Sequence, residues 1–160
     1  MLEIIKTVGS IMGLLSFPFF LYDRYAKWRP VASLTVRLEG ARKVPCIRVS
    51  NPTPYDFMVL GTAVKPKVYY LTENTETRDI IAGSMGRTPS FVLKAGESNE
   101  LVIFPFFRDN LPLEIQQQRV DFYVYFRRGN ATWLKQIPLM VCTSTDIIRR
   151  YGLEDQTIGL

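Results

Sequence analysis

Histidine is absent from this chain, and cysteine occurs twice, at Cys46 and Cys142. The first absence removes Ser-His and Cys-His nucleophile pairs and most zinc sites. The second rules out a disulfide framework of the kind that staples small secreted folds. Two cysteines could still pair across neighbouring strands, but the simpler expectation is two small, buried, apolar side chains. There is no internal repeat and no low-complexity tract. Charges of both signs are scattered, with no long block of either.

What is present is apolar and aromatic. Hydrophobic residues make up 47% of the 160 positions and aromatics 12%, enough to fill a core and opposite to a disordered composition. The length suits one domain with one appended segment. The net charge of +5 invites a nucleic-acid reading. However, no RNA-binding, zinc-finger or helix-turn-helix pattern accompanies it, so nucleic acid is an unlikely partner. Position explains the charge better, because Arg24, Lys27 and Arg29 directly follow an apolar run and Arg37, Arg42 and Lys43 come soon after.

That run, residues 4–22, contains Lys6 as its single charge. As a helix it would reach about 28 Å, close to the hydrocarbon thickness of a bilayer. Tyr22, Tyr25 and Trp28 recur at three-residue spacing, interleaved with Arg24, Lys27 and Arg29. This is the aromatic and basic collar expected at a membrane interface. Pro30 disfavours helix at Arg29 and marks the stop. No small-residue cleavage site follows the run, which argues against a removed signal peptide. An amphipathic helix lying in the membrane plane is the main rival, because Lys6, Thr7 and Ser10 are polar. Residues 11–22 are apolar nearly all round, which favours spanning. Gly9 and Gly13 form a small-xxx-small pair that would let another helix pack closely. The basic C-terminal flank predicts a single-pass protein with its domain in the cytoplasm.

After Pro30 the pattern changes to short strands with turn punctuation. Alternation predicts strands near residues 34–38, 46–50, 55–64, 68–72, 90–93, 101–104, 120–127 and 132–141. The polar segment 73–89 reads as a long loop with room for a short helix. Ser144 or Thr145 could cap a short C-terminal helix. The expected organisation is therefore a membrane helix with its collar over 1–29, a β-sandwich over 30–144 and a short helix with tail over 145–160.

A strand ending in Val49-Ser50-Asn51-Pro52, and a Gly96-Glu97 turn leading to Leu101-Val102-Ile103, resemble many immunoglobulin-like modules. The resemblance is general and covers about residues 31–142. It implies an all-β, antiparallel, immunoglobulin-like sandwich. Cys46 could match the first cysteine of antibody-type domains. Arg127 stands where the second would be expected, so the inter-sheet disulfide is not implied.

No motif specifies a substrate, cofactor or metal. Glu73, Glu76 and Asp79 share the polar loop and read as solvated charge, although carboxylate or Ser-Lys chemistry at a membrane is the alternative function. Phe104-Pro105-Phe106-Phe107 is the most unusual run in the domain. Phe104, Phe106 and Phe107 are its binding-patch candidates. The functional expectation is a non-enzymatic binding or assembly module, anchored in a lipid bilayer and serving a protein partner.

Overall fold

The computed structural model describes residues 13, 16–20, 29–40, 42–106, 118–128 and 138–153. Gly13 and residues 16–20 are helical, and Phe17, Phe19 and Phe20 on that helix are exposed. Among the described residues no helix is long and apolar enough to cross a membrane. Most of the 4–22 run lies outside them.

From Val31 onward the chain is mostly β, in two antiparallel sheets. The strands are β1 (Val31–Glu39), β2 (Arg42–Ser50), β3 (Phe57–Lys65), β4 (Tyr69–Thr72), β5 (Phe91–Leu93), β6 (Ser98–Pro105), β7 (Arg119–Arg128) and β8 (Leu139–Ser144). Helix α1 (Thr77–Ser84) lies between β4 and β5, and α2 (Thr145–Leu153) follows β8. One sheet runs β1-β2-β6-β4, hereafter sheet I; the other runs β5-β3-β7-β8, hereafter sheet II.

Alternation assigns the faces. Side chains two apart along a strand share a face. On β7, Val120, Phe122, Val124 and Phe126 are buried, whereas the intervening residues are half-buried or exposed. Ile47 and Val49 of β2, Leu101 and Ile103 of β6 and Leu71 of β4 meet them from sheet I. Phe57 meets Phe126 edge-on, with ring centroids 5.5 Å apart. The result is one continuous sandwich core.

The two poles are closed differently. At the pole where Val31 begins, Asn51 is buried and fully engaged. Its amide Nδ2 donates to the carbonyls of Tyr55, Leu93 and Lys94 at 2.7, 3.1 and 3.0 Å. Its Oδ1 accepts from the Thr53 N–H and hydroxyl at 3.1 and 2.8 Å. The Asn51 backbone adds bonds to Glu97 and Gly96. One side chain thus ties the β2–β3 loop to the turn before β6. At the opposite pole α2 covers the open end. Ile148 is buried in the core. Burial pushes the Tyr69 hydroxyl pKa up, opposed by the nearby Arg149 of α2. Ser144 caps α2 as expected, its Oγ accepting the Ile147 N–H at 3.3 Å.

Two expectations need correction. Cys46 does not take the interior position that the first antibody-type cysteine would hold. Ile47 and Val49 hold the core side of β2, so Cys46 is buried on the outer face of sheet I. Cys142 is exposed rather than buried and lies on sheet II. The two thiols are therefore free and on different sheets.

Replacing Asn51 with Ala should lower stability by roughly 2–4 kcal/mol, because three carbonyls lose their donor inside a buried loop. Urea unfolding of the purified chain, followed by far-UV circular dichroism, should show a lower midpoint at unchanged slope. A shift worth less than about 1 kcal/mol would make the network dispensable.

Candidate interaction surfaces

The outer face of sheet I is largely covered. Its alternate residues include Tyr70 and Thr72 on β4 and Val102 and Phe104 on β6. Helix α1 lies against this face through Gly83, where an added Cβ would fall 2.6 Å from the Tyr70 ring and 2.9 Å from Thr72. Only glycine permits that approach. Tyr70 in turn stacks on Phe104, at 5.9 Å between centroids, and contacts Phe106 at 4.9 Å. The aromatic run is thus divided by the fold. Phe104 is half-buried under Tyr70, Phe106 is 38% exposed at the strand end, and Phe107 lies outside the described residues.

Deeper on the same face, Cys46 sits opposite Val102 and Thr35. Burial pushes its thiol from the ordinary 9.0 to about 11, with Arg37 opposing and Glu100 and Glu39 reinforcing. Charged side chains fringe this layer, with Arg37 paired to Glu39 and Arg48 to Glu100.

Beside α1 a cleft of about 420 Å³ gathers the carboxylates that the sequence grouped. Glu73, Glu76 and Asp79 line it together with Arg78, Arg87 and Ser90. Asn74 donates to Asp79 at 3.1 Å. The charged members are exposed or half-buried and of mixed sign, as befits a hydrated cleft. Ser98 donates to Ser50, and Ser84 to the Ile81 carbonyl, so neither hydroxyl is directed to a lysine. Among the described residues no group of three or more acidic or cysteine side chains could hold a metal.

The outer face of sheet II is different. Strand register places Val92, Met58 and Arg127 in one row and Ala63, Tyr123 and Met140 in another. Tyr125 and the bulge residue Leu60 lie between them. Met58, Leu60, Val92, Tyr125 and Met140 are 37–59% exposed. At the bulge Thr88 comes so close that a Cβ on Gly61 would stand 2.7 Å from its hydroxyl. At the far end Lys65 lies 5.7 Å from the Tyr123 ring centroid. There Arg119 bonds Asp121 at 2.8 Å and the Cys142 sulfur at 3.1 Å. That first bond holds the Asp121 carboxyl below the ordinary carboxylate range.

No known protein family matches this chain, and no curated protein is significantly similar to it. The surfaces themselves therefore have to indicate function. Sequence inspection missed the sheet II face, because Met58, Leu60, Val92, Tyr125 and Met140 are distant in sequence and each looks like ordinary strand filling. Of the other candidates, Arg29 holds its guanidinium 5.9 Å from the Phe126 ring centroid. Gly13 has no atom within 4 Å of an added Cβ. Tyr22, Arg24, Tyr25, Lys27, Trp28 and Gly9 lie outside the described residues.

The two thiols should react in a fixed order. At pH 8 a thiol with a pKa near 11 is ionised in roughly one molecule per thousand. A maleimide should therefore modify Cys142 alone in the folded chain, with Cys46 following only on denaturation. Because the folded Cys46 pKa is the higher one, its stabilising effect is complete below pH 9 and is lost as pH rises towards 11. Mass spectrometry showing two fast thiols at pH 8 would contradict the burial.

Proposed function

We propose that this chain is a non-enzymatic binding or assembly module, tethered by a single N-terminal membrane span with its β-domain on the cytoplasmic side. The observation that carries the binding role is the outer face of sheet II. Exposed apolar side chains occur singly on most soluble surfaces, and a contiguous group marks an interaction site. Here five of them share one sheet face. The membrane span rests on the apolar 4–22 run, its aromatic and basic collar and the exposed rings of Phe17, Phe19 and Phe20.

The domain is inferred to be immunoglobulin-like. Orders β1-β2-β6-β4 and β3-β7-β8 coincide with the ABED and CFG sheets of constant-type domains, with β5 as an extra edge strand beside β3. The partner for its face is a protein carrying carboxylates around an apolar centre. Arg127 and Lys65 flank the face, and among the described residues its carboxylate, Asp121, already pairs with Arg119. Two copies anchored side by side in one membrane would bring Arg127 against Arg127 and Lys65 against Lys65, which disfavours self-docking. With strands about 4.8 Å apart, the face covers a few hundred Å², below the ~800 Å² per partner of a standard interface. Confinement of both partners to one membrane would supplement so small a contact. Nucleic acid is not the expected partner.

Carbonate washing of native membranes should leave the chain in the pellet; release of most of it would reject the span. Cys142 supplies a natural topology reporter. An impermeant maleimide should leave it unlabelled in intact cells and label it after permeabilisation, and labelling before permeabilisation would put the domain outside.

Affinity capture of the tagged chain from detergent-solubilised native membranes tests the binding role. A near-stoichiometric protein should accompany the wild type and fall at least about tenfold with Leu60→Lys plus Met140→Lys, as expected when an interface centre gains buried charge. Equal recovery with both chains would reject the sheet II face as the docking surface.

A further inference from the structure

We infer that the pole of the sandwich at which Val31 begins is itself a contact surface for anionic lipid headgroups, so that the domain stands on the membrane by its own side chains. The inference rests on the membrane-anchored reading above and adds a second lipid contact to the anchor. The placement follows from chain length. The apolar run ends at Tyr22 and β1 starts at Val31. The intervening residues reach at most about 27 Å fully extended and about 12 Å as a helix. The start of β1 is thereby held close to the headgroups.

The register identifies what shares that pole. Val31 lies opposite Ser50, and Ser50 opposite Ser98. The short loop after Ser50 leads to Phe57, which lies opposite Leu93 and Arg128. The Asn51 network locks these strand ends together. Among the described residues four cations therefore gather at this pole: Arg29 beside the Phe126 ring, Lys94 after β5, and Arg127 and Arg128 at the end of β7. Arg128 lies over the Tyr55 ring at 3.5 Å. The acidic residues there, Asp56 and Glu97, each accept a backbone N–H of the same turn, from Ala95 at 3.0 Å and Lys94 at 3.1 Å. Exposed Pro52 and Pro54 supply apolar surface between the cations, beside Val92 at the edge of the sheet II face. Cations among apolar groups suit a headgroup layer, where guanidinium and ammonium meet phosphate and carboxylate while short apolar side chains enter the upper acyl region. Contact through this pole would stand the strands steeply on the membrane and turn the outer face of sheet II sideways, towards neighbours in the same bilayer.

The test uses the full chain in lipid nanodiscs of phosphatidylcholine, with and without about 30% phosphatidylserine, containing a nitroxide-headgroup lipid as quencher. A fluorophore is attached either to native Cys142, at the opposite end of sheet II, or to Val92→Cys in a Cys142→Ser background. In anionic discs the Val92 probe should be quenched strongly and the Cys142 probe little. Lys94→Gln with Arg127→Gln should weaken pole contact by about fivefold per charge removed, and raised salt should mimic the change. Equal quenching of the two probes, or Val92 quenching indifferent to phosphatidylserine, overturns the inference. A chain that fails to enter nanodiscs rejects the anchor instead. In that event flotation of the free chain with phosphatidylserine vesicles decides the pole: co-flotation lost in the Lys94, Arg127 double variant supports it. No flotation, or tighter retention on an RNA oligonucleotide than on the vesicles, overturns it.

Discussion

The contact between the two inner sheet faces governs the rest of this domain. Ile47, Val49, Leu71, Leu101 and Ile103 on one side meet Phe57, Val59, Val120, Phe122 and Val124 on the other, and all are almost wholly removed from water. Burial of each such side chain is worth roughly 1.5–3 kcal/mol relative to exposure. A one-residue slip of any strand would exchange its buried and exposed sets. The inner contact therefore determines the register, and the register decides which residues stand outside. Cys46, Tyr70 and Phe104 reach the outer face of sheet I, and Met58, Tyr125 and Met140 that of sheet II, because their neighbours are held inside.

The outer faces meet different fates. On sheet I, α1 closes over Tyr70 and Thr72 by the glycine contact at Gly83, and paired charges fringe the buried Cys46. That face is filled by the chain itself. On sheet II the exposed apolar residues are dispensable for the core, since Phe57, Phe122 and Val124 already fill the inner side. Apolar surface that the fold does not require is the kind that a partner can use. The asymmetry between the two faces, rather than their composition, directs attention to sheet II.

The poles are equally unequal. One is sealed by hydrogen bonds radiating from Asn51, which leaves Pro52, Pro54 and Lys94 exposed around it. The other is sealed by α2, with Ile148 inserted into the core and an Asp146–Arg150 pair on its exposed side. Arg29, Lys94, Arg127 and Arg128 stand together at the first pole because three strand ends converge there, the start of β1 and the ends of β5 and β7.

Much of this domain was legible in the sequence. Period-two alternation located seven of the eight strands to within about four residues, because one buried face leaves that imprint directly, whereas the strand expected over 132–141 lies at Leu139–Ser144. Asn51 and the Gly96-Glu97 turn marked real chain reversals, and Ser144 before an apolar-polar run marked the start of α2. Alternation does not say which parity faces inward where both are apolar. Cys46 beside Ile47 was ambiguous for that reason, and Cys142 between Val141 and Thr143 for the same one. Nor can it show how far Phe104 and Phe106 are covered, since that depends on Tyr70 arriving from a strand paired only in three dimensions. The apolar face of sheet II and the basic pole are sums over residues distant in sequence, and strand pairing alone brought them together.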